Sequence, residues 1–558
     1  MSVNDISSLF SFIGGLGMFL YGMNIMADGM QKTAGSKMSQ FLGMLTNNRL
    51  MAVLLGALIT AIIQSSGATT VMVVGFVSAG VLNLTQAVGV IMGANIGTTV
   101  TGVMIAINLT AIAPIAVLIG VVMISFIKRN SVKHIGQIIA GFGILFMGMK
   151  MMSTAMEPLS ESEVFTSLMT SFSNPLLGVL VGLVFTAIIQ SSSASVGVLQ
   201  ALGAAGAITL PSAIYVIYGQ NIGTCVTALI SSVGTSKTAR RTAVVHLMFN
   251  VFGAILFIVI SMLFPFAELV QRIAPGSVMA QISIVHVIFN IVCTAIMLPL
   301  SSLLVKVACK VIPGSDPVKS SNSLAYLDAR ILSTPPVAVA QLFKEVDRMG
   351  QLAKETLGMA MDALITQDNT KVDQIYENEN TINFLNRGIA EYLVKINGLD
   401  LEDYDRQALG SMYHVISDME RIGDHSENLC ELAQTLKKSK QKFSPWAVEQ
   451  ATEMRNRVEA MLEEALQMFA SRETQPQMAA DINRREEIID DATQELKDLH
   501  IERLNQGKCS VVAGTVFMDM LTNLERIADH CTNIAYSMTN QKNHELQSTI
   551  PVEPVAVR

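Results

Sequence analysis

Seven residues occur twice in this chain at a distance of 126 positions, since Thr60–Ser66 and Thr186–Ser192 both read TAIIQSS. A second pair has the same offset: Gly93–Thr101 reads GANIGTTVT and Gly219–Thr227 reads GQNIGTCVT. The register holds without a gap over roughly 90 positions, which indicates a duplicated structural unit. Further pairs at this offset are Gly17 with Gly143, Gly22 with Gly148, Met23 with Met149, Asn48 with Asn174 and Gly56 with Gly182.

The duplicated half is very apolar. Of the 558 residues 51% are hydrophobic and 15% are charged. Residues 1–312 hold 13 Lys and Arg against 6 Asp and Glu, whereas the remainder holds 25 against 39. Leu50–Ile127 and Val164–Ser236 contain no charge, and each far exceeds the roughly 20 apolar residues that one spanning helix needs. Residues 1–312 are therefore predicted to lie in a bilayer, and the acidic remainder in water.

Charge also predicts how the two repeats are oriented. The segment after the first helix carries Lys32, Lys37 and Arg49, whereas its counterpart carries Glu161 and Glu163 and no base. Basic loops favour the cytoplasm. Equivalent loops of opposite charge are thus predicted to lie on opposite sides of the membrane, which makes the repeats inverted.

The prediction is an all-α polytopic membrane protein with its N-terminus outside, repeats at about 10–127 and 136–264, and an extra helix at 280–308. Polar breaks at Gln64–Gly67 and Gln190–Ser193 turn two apolar segments into re-entrant hairpins. The predicted segments are a first helix at 6–26, hairpins at 50–82 and 174–208, and crossings at 84–106, 109–127, 135–152, 212–235, 242–264 and 280–308.

The paired motifs place amides and hydroxyls inside apolar segments, which is typical of a transport site. A broken helix exposes carbonyl oxygens that bind a cation and N–H groups that bind an anion. The glycine of each N-I-G-T motif permits unwinding. Neither motif contains Lys or Arg, so dipoles, hydroxyls and bound cations would have to hold an anion. The alternative is that these small residues only pack helices together.

Another short motif is repeated at an offset of 40 residues, since His246-Leu-Met-Phe-Asn250 resembles His286-Val-Ile-Phe-Asn290. A histidine within a membrane segment is a candidate functional residue. Both also stand near helix starts, so a structural hydrogen-bonding role is the alternative.

These motifs resemble the sodium–phosphate cotransporter family, and the resemblance covers most of residues 10–305. It implies that both hairpins meet near the middle of the membrane. Gly67 replaces the third serine of the first hairpin, which leaves the phosphate side of that hairpin to backbone N–H groups. Cys225 stands where the first repeat has Thr99 and is not assigned as a ligand. The implied sodium ligands are Gln64, Gln190, Ser191, Gln220, Thr224, Thr227 and Thr98; the implied phosphate ligands are Ser65, Ser66, Ser192, Ser193, Asn95 and Asn221.

Prolines and glycines at 313–336 indicate a linker, and residues 337–541 have helical periodicity. Glu420–His425 reads ERIGDH and Glu525–His530 reads ERIADH, at an offset of 105. Two tandem three-helix bundles are predicted, followed by a disordered tail at 542–558. The predicted helices are 337–365, 369–397, 404–438, 445–471, 477–505 and 511–540.

Carboxylates four residues apart share one helical face and repel each other, so they require a compensating cation. The pairs are Glu420 with Asp424, Glu486 with Asp490, and Glu525 with Asp529. Basic side chains such as Arg421 and Arg526 are one source; a bound divalent metal such as magnesium, manganese or iron is the other. The ERI[GA]DH blocks resemble the PhoU domain, which implies a role in phosphate signalling.

The leading hypothesis is a sodium-coupled phosphate carrier of the cell membrane, regulated by a cytoplasmic PhoU-like domain. Phosphate export, transport of another oxyanion, and a membrane-bound phosphate sensor are the alternatives. No nucleotide-binding loop and no nucleophile–base pair occurs, so an enzyme is not expected. The expected partners are phosphate, sodium and lipid, without nucleic acid. A homodimer, the direction of transport and the stoichiometry are left open.

Overall fold

The computed structural model describes residues 3–34, 48–79, 81–107, 109–160, 163–316, 323–333, 335–399, 401, 403–471 and 475–539. These residues form two compact units. The membrane unit contains the described residues up to 316, with 328–333 and 335–337; the C-terminal unit contains 323–327 and the described residues from 338. Every regular element in the described ranges is helical, which confirms the all-α prediction. Lys37, Glu161 and the predicted tail lie outside these ranges.

The described part of the membrane unit contains fifteen complete α-helices and one 3₁₀ helix, Ala329–Ser333. Those of the first repeat are α1 (Val3–Ala34), α2 (Arg49–Ile63), α3 (Ser66–Ala79), α4 (Leu84–Ala106) and α5 (Ala113–Phe126). Those of the second repeat are α6 (Asn130–Ser160), α7 (Glu163–Ser171), α8 (Pro175–Ile189), α9 (Ser192–Ala204), α10 (Leu210–Gly223), α11 (Cys225–Ser231) and α12 (Lys237–Leu263). The chain continues with α13 (Phe266–Ile273), α14 (Val278–Met297) and α15 (Ser301–Val311).

Six helical segments among the described residues are long and apolar enough to cross a membrane, and a bent pair, α7 with α8, makes a seventh if it counts as one span. Large apolar side chains such as Leu118, Leu176 and Leu263 are exposed on the surface of this unit. A surface of that kind needs an apolar environment. The prediction of a multi-pass membrane protein is confirmed. The six segments are Ser7–Ala34, Leu84–Ala106, Asn130–Pro158, Leu210–Ser231, Lys237–Leu263 and Val278–Met297.

Helices α1 and α6 are equivalent in the two repeats and pack against each other through glycines. Gly15 contacts Gly148, and Gly22 contacts Gly141. Residue numbers rise along one helix as they fall along the other, so the pair is antiparallel. Gly141 is the counterpart of Gly15 in the second repeat, and Gly22 is the counterpart of Gly148 in the first. The repeat therefore maps one contact onto the other, which indicates a pseudo-two-fold axis. Equivalent helices that run in opposite directions make the repeats inverted, as predicted.

Each hairpin reverses the chain within the thickness of a bilayer. Gly93 contacts Val53 and Gly97 contacts Ala57, so α2 and α4 run parallel and the chain turns back in α3 between them. At 1.5 Å per residue α2 and α3 are each about 20 Å long, shorter than the roughly 30 Å apolar core. The second repeat has the same geometry, with Gly219 on Val179 and Gly223 on Leu183.

Two predicted crossings differ from the structure. The crossing predicted at 109–127 is the 14-residue helix α5, which is too short to span a membrane alone because Pro114 begins it late. The predicted helix at 280–308 is two helices, since Pro299 follows α14 and removes a backbone donor. The crossing predicted at 212–235 corresponds to one candidate span, Leu210–Ser231, which has a turn at Thr224 between α10 and α11. The short helices α7 and α13 were not predicted.

The C-terminal unit contains six described helices, and each bound lies within three residues of its prediction because their apolar periodicity is strong. Phe343 packs against Phe469 with ring centroids 5.4 Å apart, and this contact joins the first helix to the fourth. The six helices are α16 (Pro335–Thr366), α17 (Val372–Asn397), α18 (Asp403–Lys438), α19 (Pro445–Ser471), α20 (Pro476–Asn505) and α21 (Val511–Thr539).

Candidate transport site

The two hairpin tips are alike in backbone geometry. Helix α2 ends at Gln64 and α8 ends at Gln190, and both glutamines have left-handed backbone, with φ of 58° and 57°. Each donates its backbone N–H to the residue four before it, Thr60 or Thr186. Left-handed backbone is costly for a residue with a side chain, and such strain is typical of functional sites.

The first serine of each tip caps the helix that follows. Ser65 Oγ accepts the backbone N–H of Ala68 at 3.1 Å, and Ser191 Oγ accepts that of Ala194 at 3.2 Å. Each hydroxyl oxygen still has a second lone pair. The predicted ligands Ser65 and Ser191 are thus also helix caps, a role that the sequence analysis did not assign to them.

A hydroxyl pair ties the two arms of each hairpin together. Thr60 Oγ1 donates to Thr69 Oγ1 at 3.0 Å, and Thr186 Oγ1 donates to Ser195 Oγ at 2.9 Å. All four residues are fully buried. These residues were missed by the sequence analysis, although both pairs have the offset of 126.

Three predicted phosphate ligands have unused hydroxyls. Ser66, Ser192 and Ser193 are buried, with 4–6% of their surface exposed, and their hydroxyls make no hydrogen bond within the described part of the chain. They stand in the first turn of α3 or α9, where free backbone N–H groups and the helix dipole attract an anion.

The two tips meet at Gly67. A Cβ built on Gly67 would lie 3.7 Å from Thr227 Cγ2 and 3.9 Å from the carbonyl oxygen of Gln190. The first hairpin of one repeat therefore reaches two predicted sodium ligands of the other. The bare backbone of Gly67 leaves the space between the tips open.

The tips differ in accessibility. Gln64 is 5% exposed, and its side-chain oxygen accepts the hydroxyl of Thr101 at 2.6 Å. Gln190 is exposed and its partner by repeat symmetry, Thr227, is half-buried; no hydrogen bond of either side chain occurs within the described ranges. The glutamine of the first tip is closed off, and that of the second is open.

The G-x-N-I-G-T motifs also differ. In the second repeat the helix breaks at Thr224, and Gln220 Nε2 donates to the backbone oxygen of Ser195 at 3.0 Å. Gln220 Oε1 is buried without a donor among the described residues, so it can bind a cation. In the first repeat α4 continues through the motif, and Thr98 Oγ1 donates to Ala94 O at 3.0 Å. The unwinding that the glycine permits therefore does not occur in the first repeat.

Asn95 and Asn221 make their side-chain contacts with α12 and α14. Asn95 Oδ1 lies 3.4 Å from His246 Nε2 on α12, and Asn221 Oδ1 accepts Asn290 Nδ2 on α14 at 3.4 Å. Both asparagines are 4% exposed. The two contacts are therefore buried polar contacts within the membrane unit.

The acidic residues of the C-terminal unit do not form one cluster within the described residues. Carboxylate oxygens of Glu486, Asp490 and Asp529 lie within 4.8 Å of one another. Burial and the neighbouring Asp490 raise the pKa of Glu486. Lys497 pairs with Glu525 at 3.1 Å, so a basic side chain compensates that residue.

Glu420 and Asp424 stand on α18, apart from that group of three. Burial and then Asp424 raise the pKa of Glu420, and burial raises the pKa of Asp424. The charge of Arg421 opposes both shifts. The second half also has an ion pair between Arg526 and Asp529 at 3.1 Å.

A crossed pair of contacts joins α18 to α21. His425 Nδ1 lies 2.8 Å from Asn523 Oδ1, and His530 Nδ1 lies 2.8 Å from Asp418 Oδ1. The offset of 105 converts one contact into the other. The histidines of both ERI[GA]DH blocks thus hold the two halves of this unit together, a role that the sequence analysis missed.

The inverted repeats and the paired hairpin tips define a multi-pass membrane transporter. The chain belongs to the Na+/Pi-cotransporter family, whose model matches residues 18–154 and again 145–287. The PhoU domain model matches residues 346–433 and 451–538. Both predicted resemblances are confirmed, and each model matches twice, in agreement with the two duplications. The family is one of transporters, so the expectation that the chain is not an enzyme is confirmed.

Relatives match both the whole chain and its parts. The Salmonella typhimurium protein named "Putative inorganic phosphate export protein YjbB" is 22% identical over 542 residues, which are 96% of this chain and 98% of that protein. The Bacillus subtilis "Uncharacterized protein YqeW" is 34% identical over 306 residues, 55% of this chain and 98% of that protein. The crystal structure of PhoU from Pseudomonas aeruginosa aligns with 38% of this chain and 97% of its own, at 24% identity and a TM-score of 0.34.

Proposed function

We propose that this protein is a secondary active transporter that moves inorganic phosphate together with sodium across the cell membrane. The observation that carries the proposal is the meeting of the two hairpin tips, with Gly67 of one repeat beside Gln190 and Thr227 of the other. The description of the family names both ions. Inverted repeats that meet at a central site are the usual architecture of alternating access.

Phosphate is proposed to bind at the starts of α3 and α9. The hydroxyls of Ser66, Ser192 and Ser193 are buried there and make no hydrogen bond among the described residues. Hydrogen bonds from hydroxyl and backbone N–H donors to an oxyanion are strong. The proposed phosphate ligands are Ser65, Ser66, Ser192, Ser193, Asn95 and Asn221.

Sodium is proposed to bind to the oxygens of the second tip and the Thr224 break. Gln220 Oε1 is a buried oxygen that receives no hydrogen bond from the described residues, and Ser191 and Thr227 add hydroxyls. The first repeat contributes through Gln64 and Thr98. The full proposed set is Gln64, Gln190, Ser191, Gln220, Thr224, Thr227 and Thr98.

Charge makes the two ions depend on each other. The paired motifs contain no Lys or Arg. A sodium ion about 4 Å from phosphate contributes about 4 kcal/mol per unit charge at an effective dielectric constant near 20. That energy corresponds to roughly a thousandfold in affinity. Phosphate binding without sodium should therefore be weak.

One tip is open and the other closed, which is the asymmetry that alternating access requires. Gln64 is held by Thr101, whereas Gln190 is exposed. Exchange of these two environments would move access from one side of the membrane to the other.

The second candidate is net export of phosphate. One observation favours it: the full-length relative from Salmonella typhimurium carries "phosphate export" in its name. The same site can serve both directions, because a carrier follows the larger gradient.

The C-terminal unit is proposed to lie in the cytoplasm and to regulate transport. Lys306 and Lys310 precede it, and positive residues favour the cytoplasmic side. The preceding chain is fixed to the transporter, since Asp316 accepts the backbone N–H of Thr238 at 3.1 Å at the start of α12. The later segment Ala329–Ser333 packs against α3, where Ile331 is fully buried beside Gly75.

Through this packing, a change in the C-terminal unit is proposed to reach the transport site. Helix α3 starts at the first hairpin tip, and Ala329–Ser333 leads directly into α16, the first helix of the C-terminal unit. An Ile331→Glu variant should release the segment and change the phosphate dependence of flux. Unchanged flux in this variant, and in a chain deleted after Asp316, would count against regulation.

A divalent metal is proposed for Glu486, Asp490 and Asp529. The three carboxylates are clustered, and burial raises the pKa of two of them, Glu486 and Asp490. Such a group favours a cation, and oxygen ligands suit magnesium or manganese. Addition of manganese should raise the thermal midpoint of the wild type more than that of Asp490→Asn. Equal shifts of the thermal midpoint in the two proteins would refute the metal site and leave basic side chains as the compensation for the carboxylate charge.

The experiment that tests transport is phosphate flux in proteoliposomes containing the full chain. Inward and outward sodium gradients are imposed in separate vesicles, with potassium replacing sodium as the control. Sodium-stimulated flux that follows the sodium gradient is expected. Tight phosphate binding without flux would instead make the protein a sensor, and flux that is indifferent to sodium would refute coupling.

A further inference from the structure

The two H-x-x-F-N segments take no part in the hairpin tips. His246–Asn250 lies on α12 and His286–Asn290 lies on α14. His246, Asn250 and Asn290 are fully buried, and His286 is 1% exposed. Polar side chains at that depth in a membrane unit are costly and mark functional positions.

The spacing within each segment has a local cause. Asn250 Nδ2 donates to the carbonyl oxygen of His246 at 3.1 Å, and Asn290 Nδ2 donates to that of His286 at 2.9 Å. Each asparagine is therefore fixed on its own helix. The phenylalanines between them, Phe249 and Phe289, are fully buried and fill the core.

Each segment then reaches the central asparagine of a different repeat. His246 Nε2 contacts Asn95 Oδ1, and Asn290 Nδ2 contacts Asn221 Oδ1, both at 3.4 Å. One segment thus contributes its histidine, and the other contributes its asparagine. The two segments are similar in sequence, but they use different side chains to contact the repeats.

The two central asparagines also differ in their NH2 groups. Asn221 Nδ2 donates to Ile217 O at 2.9 Å. Asn95 Nδ2 is buried and has no acceptor within the described part of the chain. A buried donor without an acceptor is rare, and a ligand oxygen is one way to satisfy it.

We propose that His246 is a positioning residue for phosphate. Its Nε2–H donates to Asn95 Oδ1 and fixes the Asn95 amide, which leaves Asn95 Nδ2 to donate to a phosphate oxygen. The inference rests on the proposed function and deepens it, because it assigns one segment to the substrate and not the other. The side chain of His286 makes no hydrogen bond with Asn95 or Asn221 among the described residues, whereas the Nδ1 atoms of both His246 and His286 are buried there without a partner.

The test is sodium-driven phosphate uptake by the full chain in proteoliposomes, with KM and Vmax measured separately. His246→Phe removes the donor and should raise the KM for phosphate about tenfold or more, with Vmax and half-saturating sodium changed less than about threefold. His246→Gln retains an N–H donor and should bring the KM back to within about threefold of wild type. His286→Phe is the matched control, and its KM should stay near that of wild type.

A double variant separates positioning from packing. Asn95→Ala should raise the KM as His246→Phe does, and the combined variant should be no worse than Asn95→Ala, because both changes remove one interaction. If His246→Phe does not fold, Asn95→Ala and His246→Gln still give the expected pair of values.

Three results would overturn the inference. They are an unchanged KM in His246→Phe or Asn95→Ala, effects of the two changes that multiply, and an equal rise of KM in His286→Phe. Each presupposes a wild type that transports. A wild type without sodium-stimulated flux would refute the proposed function itself, which distinguishes the two failures.

Discussion

Gln64 and Gln190 each hold a left-handed backbone that glycine would adopt at less cost. Both turns instead retain a side chain that carries an amide. Gln64 uses its oxygen to accept from Thr101, whereas Gln190 leaves its amide exposed. The strain at the tips is therefore tied to polar side chains at the meeting point of the repeats.

Single-residue changes should separate the two ions. Ser192→Ala removes a buried hydroxyl proposed for phosphate, and Thr224→Ala removes one proposed for sodium. A lost hydrogen bond to a charged ligand costs about 1.5–3 kcal/mol. Each variant should thus weaken affinity for its own ion by at least tenfold, as measured by the concentration dependence of flux.

The two variants serve as controls for each other. Ser192→Ala should affect phosphate half-saturation first, and Thr224→Ala should affect sodium half-saturation first. If both variants keep wild-type affinities for both ions, the proposed site is wrong.

Glycines set the distance between helices within each repeat. A Cβ on Gly93 would collide with the carbonyl oxygen of Val53, and one on Gly219 with that of Val179. Overpacking of this kind costs about 1–3 kcal/mol. Gly93→Ala and Gly219→Ala should each lower the thermal midpoint of the purified protein in detergent.

Gly17→Ala is the matched control, because a Cβ built there has no atom of another described segment within 4 Å. Alanine also favours a helix by about 1 kcal/mol over glycine. The midpoint of this variant should be unchanged or higher. A similar loss of stability in all three variants would contradict the role given to close packing of α2 with α4.

The contribution of the α18–α21 contact to the stability of the C-terminal unit should depend on pH. Burial lowers the pKa of His425 below its usual value of 6.5, although the hydrogen bond with Asn523 opposes the shift. The unfolded chain therefore binds a proton more readily than the folded chain as pH falls through 6.5. The stability that this group contributes is complete above that pH and is lost below it.

The measurement is the thermal midpoint between pH 7.5 and 5.5 for the wild type and His425→Gln. Wild type should lose more stability than the variant over this range. The nearby carboxylates titrate in both proteins, so the difference between the two isolates His425. Parallel curves would show that His425 does not carry the pH response.

The elements that could be predicted are those with a single dominant signal. The six C-terminal helices follow a strong apolar periodicity, and their bounds agree closely. The membrane unit is apolar on nearly all faces, so periodicity could not locate the ends of α5, α14 or α15. Prolines set those ends. Pro114 at the start of α5 and Pro299 between α14 and α15 were visible in the sequence but did not enter the predicted helix bounds.

At the scale of the whole molecule, both units are duplications with reciprocal contacts. In the membrane unit the repeat relates the Gly15–Gly148 contact to the Gly22–Gly141 contact. In the C-terminal unit it relates the His425–Asn523 contact to the His530–Asp418 contact. The offsets of 126 and 105 were visible in the sequence. The departures from symmetry, at Thr224 and Gln190, were not, because they depend on which partner each side chain meets.

The candidate site was predictable only as a set of repeated polar residues. Ser65 and Ser191 could be placed at the tips, but their use as helix caps depends on where α3 and α9 begin. The role of Gly67 was invisible in the sequence because it has no side chain. What it contributes is space, and that space becomes apparent only beside Thr227 and Gln190.

We propose that the two hairpin tips form one transport site between the repeats. Cysteines at Gly67 and Thr227 test it most directly, because a Cβ at Gly67 lies 3.7 Å from Thr227 Cγ2, within reach of a disulfide. Phosphate flux is measured in proteoliposomes before oxidation, after oxidation and after reduction, with each single-cysteine variant as the control for native cysteines. Oxidation should stop flux only in the double variant, and reduction should restore it. A cross-linked protein that transports at the unlinked rate would refute the shared site.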